Sequence, residues 1–528
     1  MSGWDTIIVG GGSAGCVLAE ALSRDPGHRV LLIESGRTDH SPWIHIPGTF
    51  FKVMQGGIDA IVYRGEDEPG LGGRPCLVPQ GHVLGGGSSV NAMLYVRGQP
   101  QDYDAWEAAG CTGWGWAQVR PVFTRMEGNT ALNGPLHGTE GPLTVSDPRH
   151  RHPLTRAFVA AAVQAGLPEN RDFNGEQQEG VGFYQTTTRG GRRCSAAVAF
   201  LHPARGRRNL AILTGARVDR VLVENGRACG VRLTDGRQID AAHEVVLTAG
   251  ALATPLILMR SGIGPAADLS RHGIPVLSDR PGVGSNYQDH MAVPIEAETN
   301  GPLSTHGQDR GLRGARNLAR YLLTRRGLMA SNIVEAGGFA RAGGGDRPDV
   351  QFHVLPGFAG APGVPPLPGH GFSASVCVLR PRSRGSITLR GADPTLPGLF
   401  HAGVLSHPDD VALSLRGLRL LLDILDRPAL RAVLGNRRLP LSGDDSDAAL
   451  TAHIRAQAKT VYHPAGTARM GDAADPAAVC DPHLRVIGVH KLRVADASIM
   501  PNLVSGNTNA PTMMISARAA DLITAEQK

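Results

Sequence analysis

The sequence has little that would anchor it in a membrane, staple it with disulfides or bind it to nucleic acid. Its longest apolar run, from Val245 to Met259, is short for a bilayer span and is interrupted by Gly250 and Pro255. No transmembrane segment is expected. The seven cysteines, at 16, 76, 111, 194, 229, 377 and 480, are odd in number and contain no Cys-x-x-Cys pair. A disulfide framework or a zinc site is therefore excluded as the organising device, and reduced thiols in the cytoplasm are expected. Excess charge is small, with a net +6 and pI 9.1 over 528 residues. Basic clusters occur at Arg205–Arg208 and Arg380–Arg384, but no basic stripe is interleaved with aromatics. Nucleic acid is not an expected partner. A secretory leader of the usual form has no place, because WDTIIVGGGSAG already reads as strand and turn within fifteen residues of Met1.

The chain does have glycine, 69 residues, and proline, 37, which point to many tight turns and long loops. Its length exceeds the roughly 250–300 residues at which one core stops growing, so at least two domains are expected. The first is legible at once. TIIVGGGSAGCVLAEALSR is a short strand, a glycine turn and a helix; HRVLLIESG is a second strand ending at Glu34. Gly10-Gly11-Gly12-Ser13-Ala14-Gly15 fits G-x-G-x-x-G. Gly10 permits the turn, Gly12 lets the backbone approach a pyrophosphate, and Gly15 lets helix and strand pack closely. The helix N-terminus offers N–H groups and positive dipole to the phosphates. Glu34 lies nineteen residues after Gly15, the spacing of an acid that binds ribose hydroxyls. An acid here argues against a 2′-phosphate but does not separate NAD from FAD.

Further on, short strands in 210–248 are separated by hairpin turns at Glu224-Asn225-Gly226 and Asp235-Gly236. Residues 291–455 read as another unit with an antiparallel sheet. Its strands are DVQFHVLP, SASVCVLRP and GSITLRG, and its helices lie near 409–425 and 446–458. The Pro/Gly/Ala-rich stretch 358–371 reads as a mobile surface loop, a candidate lid. The end contains the turn VYHPAGTARMG with His463, a strand at Leu492–Val494 and a terminal helix over Pro511–Thr524.

Five segments carry a resemblance. GHVLGGGSSVNAMLYVRG (81–98), GALATPLILMRSGIG (250–264), GVGSNYQDH (282–290), YHPAGTARMG (462–471) and VADASIMPNLVSGNTNAPTMMISARAADLI (494–523) resemble signature segments of the glucose–methanol–choline (GMC) family of FAD oxidoreductases. The resemblance runs from the first strand to the last helix and is weakest around 300–450. It implies an α/β Rossmann-like FAD-binding domain plus an α+β substrate domain with an antiparallel sheet, the GMC fold. The expected FAD domain is assembled from 1–150, 205–290 and 459–528, and the substrate domain from 151–204 and 291–458. The implied flavin contacts add Gly85, Gly86, Ser88, Asn91 and Ala92 in the second glycine loop to Gly10, Gly12, Ser13, Ala14, Gly15 and Glu34. They also add Val218, Asp496, Ala497, Asn507 and Thr508. Some members attach flavin through a histidine just before the asparagine; here that position is Val90, so non-covalent FAD is implied.

His463 matches the family's catalytic histidine. An alkoxide gives up hydride far more readily than an alcohol, so a base near the flavin N5 is required, and histidine suits proton exchange near neutrality. Asn507 matches the partner position, where asparagine can orient the substrate oxygen but cannot act as base. His290 also matches a family motif and reads as structural. The terminal helix would direct its N-terminal dipole at the flavin and stabilise negative charge there. The resemblance implies oxidation of a primary or secondary alcohol, and the Phe, Val, Leu and Pro of 350–379 point to an apolar or aromatic one. Oxygen, a quinone or another carrier would accept the electrons. The same scaffold supports lyases that use FAD without redox turnover and light-driven decarboxylases, which stay as alternatives. No metal site is expected.

Overall fold

The computed structural model describes residues 3–57, 59–360, 365–440 and 443–527. The strand Trp4–Val9 is apolar and buried from Ile7 onward, and Val30–Ile33 is so throughout, as strands covered on both faces must be. They lie side by side in a parallel layer with Leu210–Leu213, the final part of Gln238–Leu247, and Leu492–Val494. The register aligns Val9 with Ile33 and Leu247, Ile33 with Leu213, and Leu247 with Val494. Five strand ends therefore form one row, and the turns after them open on one crevice, where ligands of open α/β sheets bind. The first half of Gln238–Leu247 leaves this layer and pairs antiparallel with Arg227–Leu233, which pairs in turn with Val218–Glu224. The helix Ser13–Leu22 packs against the terminal helix Asn509–Gln527.

The second sheet is antiparallel. Its order is Leu434–Leu439, Met291–Thr299, Gly371–Val378, Val350–Leu355, Ala336–Ala340 and Gly180–Phe183. The helix Pro408–Leu425 covers one face. Strand alternation sends Phe352 toward Phe158 on that side, while His353 and Leu355 line a cavity on the other. The α/β plus antiparallel architecture is the expected one.

Details differ from the sequence expectation. GSITLRG forms only Ser386–Thr388 and pairs with Leu399–His401 outside the main sheet, because the chain beyond Pro381 is drawn to the 284–287 turn: Ile387 N donates to Gly284 O at 2.7 Å and Tyr287 N to Gly385 O at 3.0 Å. The terminal helix starts at Asn509, two residues before Pro511, and runs to Gln527. Of the candidate lid, residues 361–364 lie outside the described residues. Its first part is tied down: Ala359 N donates to Glu296 Oε1 at 3.0 Å, and Lys459 Nζ donates to Gly360 O at 3.1 Å. No helix among the described residues is long and apolar enough to cross a membrane.

Candidate active site

One cavity of about 580 Å³ runs from the row of strand ends to the antiparallel sheet. At its first end, Gly10 adopts φ +108°, where a Cβ would stand 2.5 Å from Thr248 O. A Cβ on Gly15 would fall 1.9 Å from Gly10 O, so Gly15 is a packing glycine and does not line the cavity. Gly10, Gly12, Ser13, Ala14 and Glu34 do line it. Glu34 is buried, and burial raises its pKa against the opposing backbone hydrogen bonds. Its Oε2 accepts from Gly11 N and its Oε1 from Gly36 N, both at 2.7 Å. Ser35 Oγ donates to Oε1 as well, at 3.4 Å. A carboxylate has about four acceptor positions, so one remains for a ribose hydroxyl.

The second glycine loop closes over the first. A Cβ on Gly86 would come 2.7 Å from Gly12 Cα, so only glycine lets these two turns approach. Ser88 N donates to Ser13 Oγ at 3.2 Å, and Ser13 Oγ donates to Asn509 Oδ1 at 3.0 Å. Two helix N-termini, at Ser13 and Asn509, thereby meet at one wall of the cavity, and both favour negative charge there. Gly86, Asn91 and Ala92 line the cavity, whereas Gly85 and Ser88 support it from behind. Ser88 Oγ donates to Gly85 O at 2.6 Å. Asn91 Oδ1 accepts from Arg193 Nη1 at 2.8 Å. Val218, Asp496, Ala497 and Thr508 also line the cavity. Asp496 is fully engaged within the protein. Its Oδ2 accepts from Gly250 N and Thr254 Oγ1, and its Oδ1 from Ser498 N and Ser498 Oγ. It ties the last strand's end to the Gly250 turn.

At the far end stands His463. Tyr462, held at φ +72°, sharpens the turn before it. Asp289 Oδ1 accepts from His463 N at 2.8 Å, while Asp289 Oδ2 accepts from Tyr287 Oη and Thr460 Oγ1. Burial pushes the Asp289 carboxyl up to about 6. The imidazole's tautomer follows from its neighbours. His290 Nε2 lies 2.9 Å from the carbonyl of Leu379 and must donate to it. In a neutral imidazole the other nitrogen is then an acceptor. His290 Nδ1 is 2.9 Å from His463 Nδ1, so His463 Nδ1 carries the hydrogen and donates. His463 Nε2 is left with its lone pair facing the cavity side. Burial, and secondarily His290 and His353, hold the His463 pKa well below the usual histidine value. Burial likewise puts His290 and His353 at about 4, so all three are neutral at pH 7.

Asn507 is oriented in the same way. Tyr184 Oη donates to Phe352 O at 2.6 Å and so accepts from Gly338 N and Gln351 Nε2. Gln351 Nε2 also donates to Asn507 Oδ1 at 3.1 Å. The Asn507 amide nitrogen is thereby turned to His463 Nε2, 3.3 Å away, with a second N–H to spare. Nothing local in the sequence marks Tyr184 or Asp289, and His290, expected to be structural, is the hydrogen-bond partner of His463; Gln351 and His353 are likewise absent from the expected site. A signal existed for two of them: Gln351 and His353 are the polar residues of an otherwise apolar strand, on one face of it.

The residues fit a flavin dinucleotide. The paired glycine turns leave a cradle that a Cβ would fill, two helix N-termini favour phosphate and anionic ring, and the cavity joins them to the neutral His463 imidazole. Comparison with known proteins agrees. The GMC oxidoreductase family profile matches residues 4–292 and 381–516. An alcohol dehydrogenase [acceptor] of Pseudomonas putida is 42% identical over 98% of this chain and 95% of its own length. An oxygen-dependent choline dehydrogenase of Rhizobium etli is 41% identical over 99% and 96%. The crystal structure of pyridoxine 4-oxidase from Mesorbium loti superposes with TM-score 0.90 at 33% identity, covering 99% of both chains. The chain belongs to the GMC oxidoreductase family, and its cofactor is a flavin.

Proposed function

We propose that the protein oxidises a primary or secondary alcohol to the carbonyl with non-covalently bound FAD, His463 acting as base. The observation that carries this reading is the lone pair on His463 Nε2, fixed by the Leu379–His290–His463 chain of hydrogen bonds and met by Asn507 Nδ2 at 3.3 Å, at the wall of the cavity that reaches the glycine turns. FAD, when bound, supplies the acceptor for the hydride. The chain's own residues do the rest. The substrate hydroxyl takes the place of the Asn507 N–H at His463 Nε2; the Asn507 amide then holds the substrate oxygen, and Nε2 takes the hydroxyl proton as the carbon is oxidised. Leu355, Val334, Pro294 and Ala292 line the cavity too and would favour an apolar substrate body. Gly10, Gly12, Ser13, Ala14, Glu34, Gly86, Asn91, Ala92, Val218, Ala497 and Thr508 would contact FAD, with Gly15, Gly85, Ser88 and Asp496 shaping its bed.

Val90, buried and aliphatic, offers no atom for covalent attachment, which supports releasable flavin. Seven unpaired thiols support a reducing, cytoplasmic setting. Oxygen, a quinone or another carrier would reoxidise the flavin. The test is anaerobic mixing of the yellow protein with alkanols, benzylic alcohols, choline and sugars, followed by air. Bleaching of the oxidised-flavin band by one class supports the reading and names the substrate. Absence of bleaching with every class contradicts it.

A further inference from the structure

The helix Gly311–Thr324, GLRGARNLARYLLT, stands apart from the cavity and carries an exposed surface that folding does not explain. At about 100° per residue it divides into three arcs. Gly314, Asn317, Leu318 and Tyr321 face the protein. Tyr321 is buried and its Oη donates to Gly191 O at 3.1 Å, while Asn317 Nδ2 donates to Gln308 O at 2.9 Å. Leu312, Ala315, Ala319, Leu322 and Leu323 fall in a second arc of about 100°. The three leucines are 91%, 56% and 85% exposed. Arg313, Arg316 and Arg320 fill the third arc, and Arg325 and Arg326 follow the helix end. None of these five arginines has an acidic partner among the described residues.

A monomer gains nothing by leaving three leucines in water. Beside a row of unpaired arginines they form the pattern of a helix that lies in a lipid interface, apolar side among the acyl chains and guanidinium groups among anionic headgroups. Trp43, 46% exposed, stands nearby: Lys52 Nζ lies 5.7 Å from its ring and 3.4 Å from Asp309 Oδ2, just before the helix. Indole rings favour this boundary. Lys52 follows directly on Phe50 and Phe51, which line the cavity. We propose that the 311–326 face docks the protein peripherally on an anionic lipid surface, with the Phe50–Phe51 wall of the cavity turned toward the bilayer. Charge complementarity selects lipid: a bilayer accepts an apolar wedge of any outline while presenting phosphates to several arginines at once.

The full-length flavoprotein is to be sedimented with vesicles of phosphatidylglycerol and phosphatidylcholine, and with phosphatidylcholine alone, at low and high salt. Light scattering without lipid gives the mass. The expected result is binding to the anionic vesicles that weakens in salt and falls at least about tenfold in L312S/L323S and in R313Q/R316Q. Flavin content and melting temperature should stay unchanged in both variants. These readouts do not depend on the alcohol reading. No binding to anionic vesicles, or binding unaltered in L312S/L323S, would overturn the proposal. So would a dimer that L312S/L323S dissociates, since the arc would then belong to a second copy of the chain.

Discussion

Replacing His290 with phenylalanine should leave flavin bound yet slow its reduction by alcohol about 10–100-fold. The magnitude comes from one hydrogen bond. His290 Nε2 donates to Leu379 O, which leaves Nδ1 as the acceptor for His463 Nδ1–H at 2.9 Å. Phenylalanine keeps a ring in the site, which is fully buried, but offers no acceptor. An N–H left buried and unpaired costs about 1–3 kcal/mol. His463 can relieve that cost by moving its hydrogen to Nε2, and in that tautomer it cannot take a proton from substrate. If the competent tautomer loses that much free energy, the rate falls by about one to two factors of ten. The assay is anaerobic stopped-flow of the oxidised-flavin band with the best alcohol. His290→Gln, which retains an acceptor oxygen, should recover part of the rate. Reduction in His290→Phe within threefold of the parent, at equal flavin content, would refute the tautomer argument.

Asn507→Ala removes a donor to the substrate oxygen but not the base, so flavin reduction should fall about 10–100-fold, a smaller loss than removing His463; equal losses would mean that the two act as one unit. Gly86→Ala should lower the flavin content of the purified protein, read as the ratio of flavin to protein absorbance, because the new Cβ would sit 2.7 Å from Gly12 Cα at φ +49°. The rate of flavin reduction should be flat from alkaline pH down through about pH 6.5 and fall only in more acid solution, because His463 is held neutral well below that value and only its neutral form is a base. Stability should decline over the same acid range. Unfolded histidines take up protons below about 6.5, whereas His290 and His353 in the fold do so only near 4, so each opposes folding by about 3 kcal/mol once the pH is below 4. Denaturation curves from pH 7 to pH 4 measure this.

What was legible in the sequence was local. The strand, glycine turn and helix at the N-terminus follow from spacing within a few residues, and so does Glu34 at the next strand's end. His463 stood out because YHPAGTARMG resembles a signature segment of the family. Its partner did not, because the contact with His290 spans 173 residues and depends on how the 282–290 and 461–467 segments pair, with Gln288 N and Ala465 N each donating to the other's carbonyl. Gln351 and Asn507 are 156 residues apart and meet only when the antiparallel sheet sits on the parallel layer. Asp496 illustrates the converse: adjacency to the cavity was readable, but its carboxylate is spent on Gly250, Thr254 and Ser498, which only the fold reveals. The amphipathic face of 311–324 became visible once the buried side of that helix was known.

The central claim is that His463 is the base for alcohol oxidation. It is tested most directly by single-turnover reduction of the flavin in His463→Ala beside the parent protein, under anaerobic conditions with one alcohol. The expected result is full flavin occupancy with the reduction rate lowered by several orders of magnitude. Reduction within threefold of the parent would contradict the account.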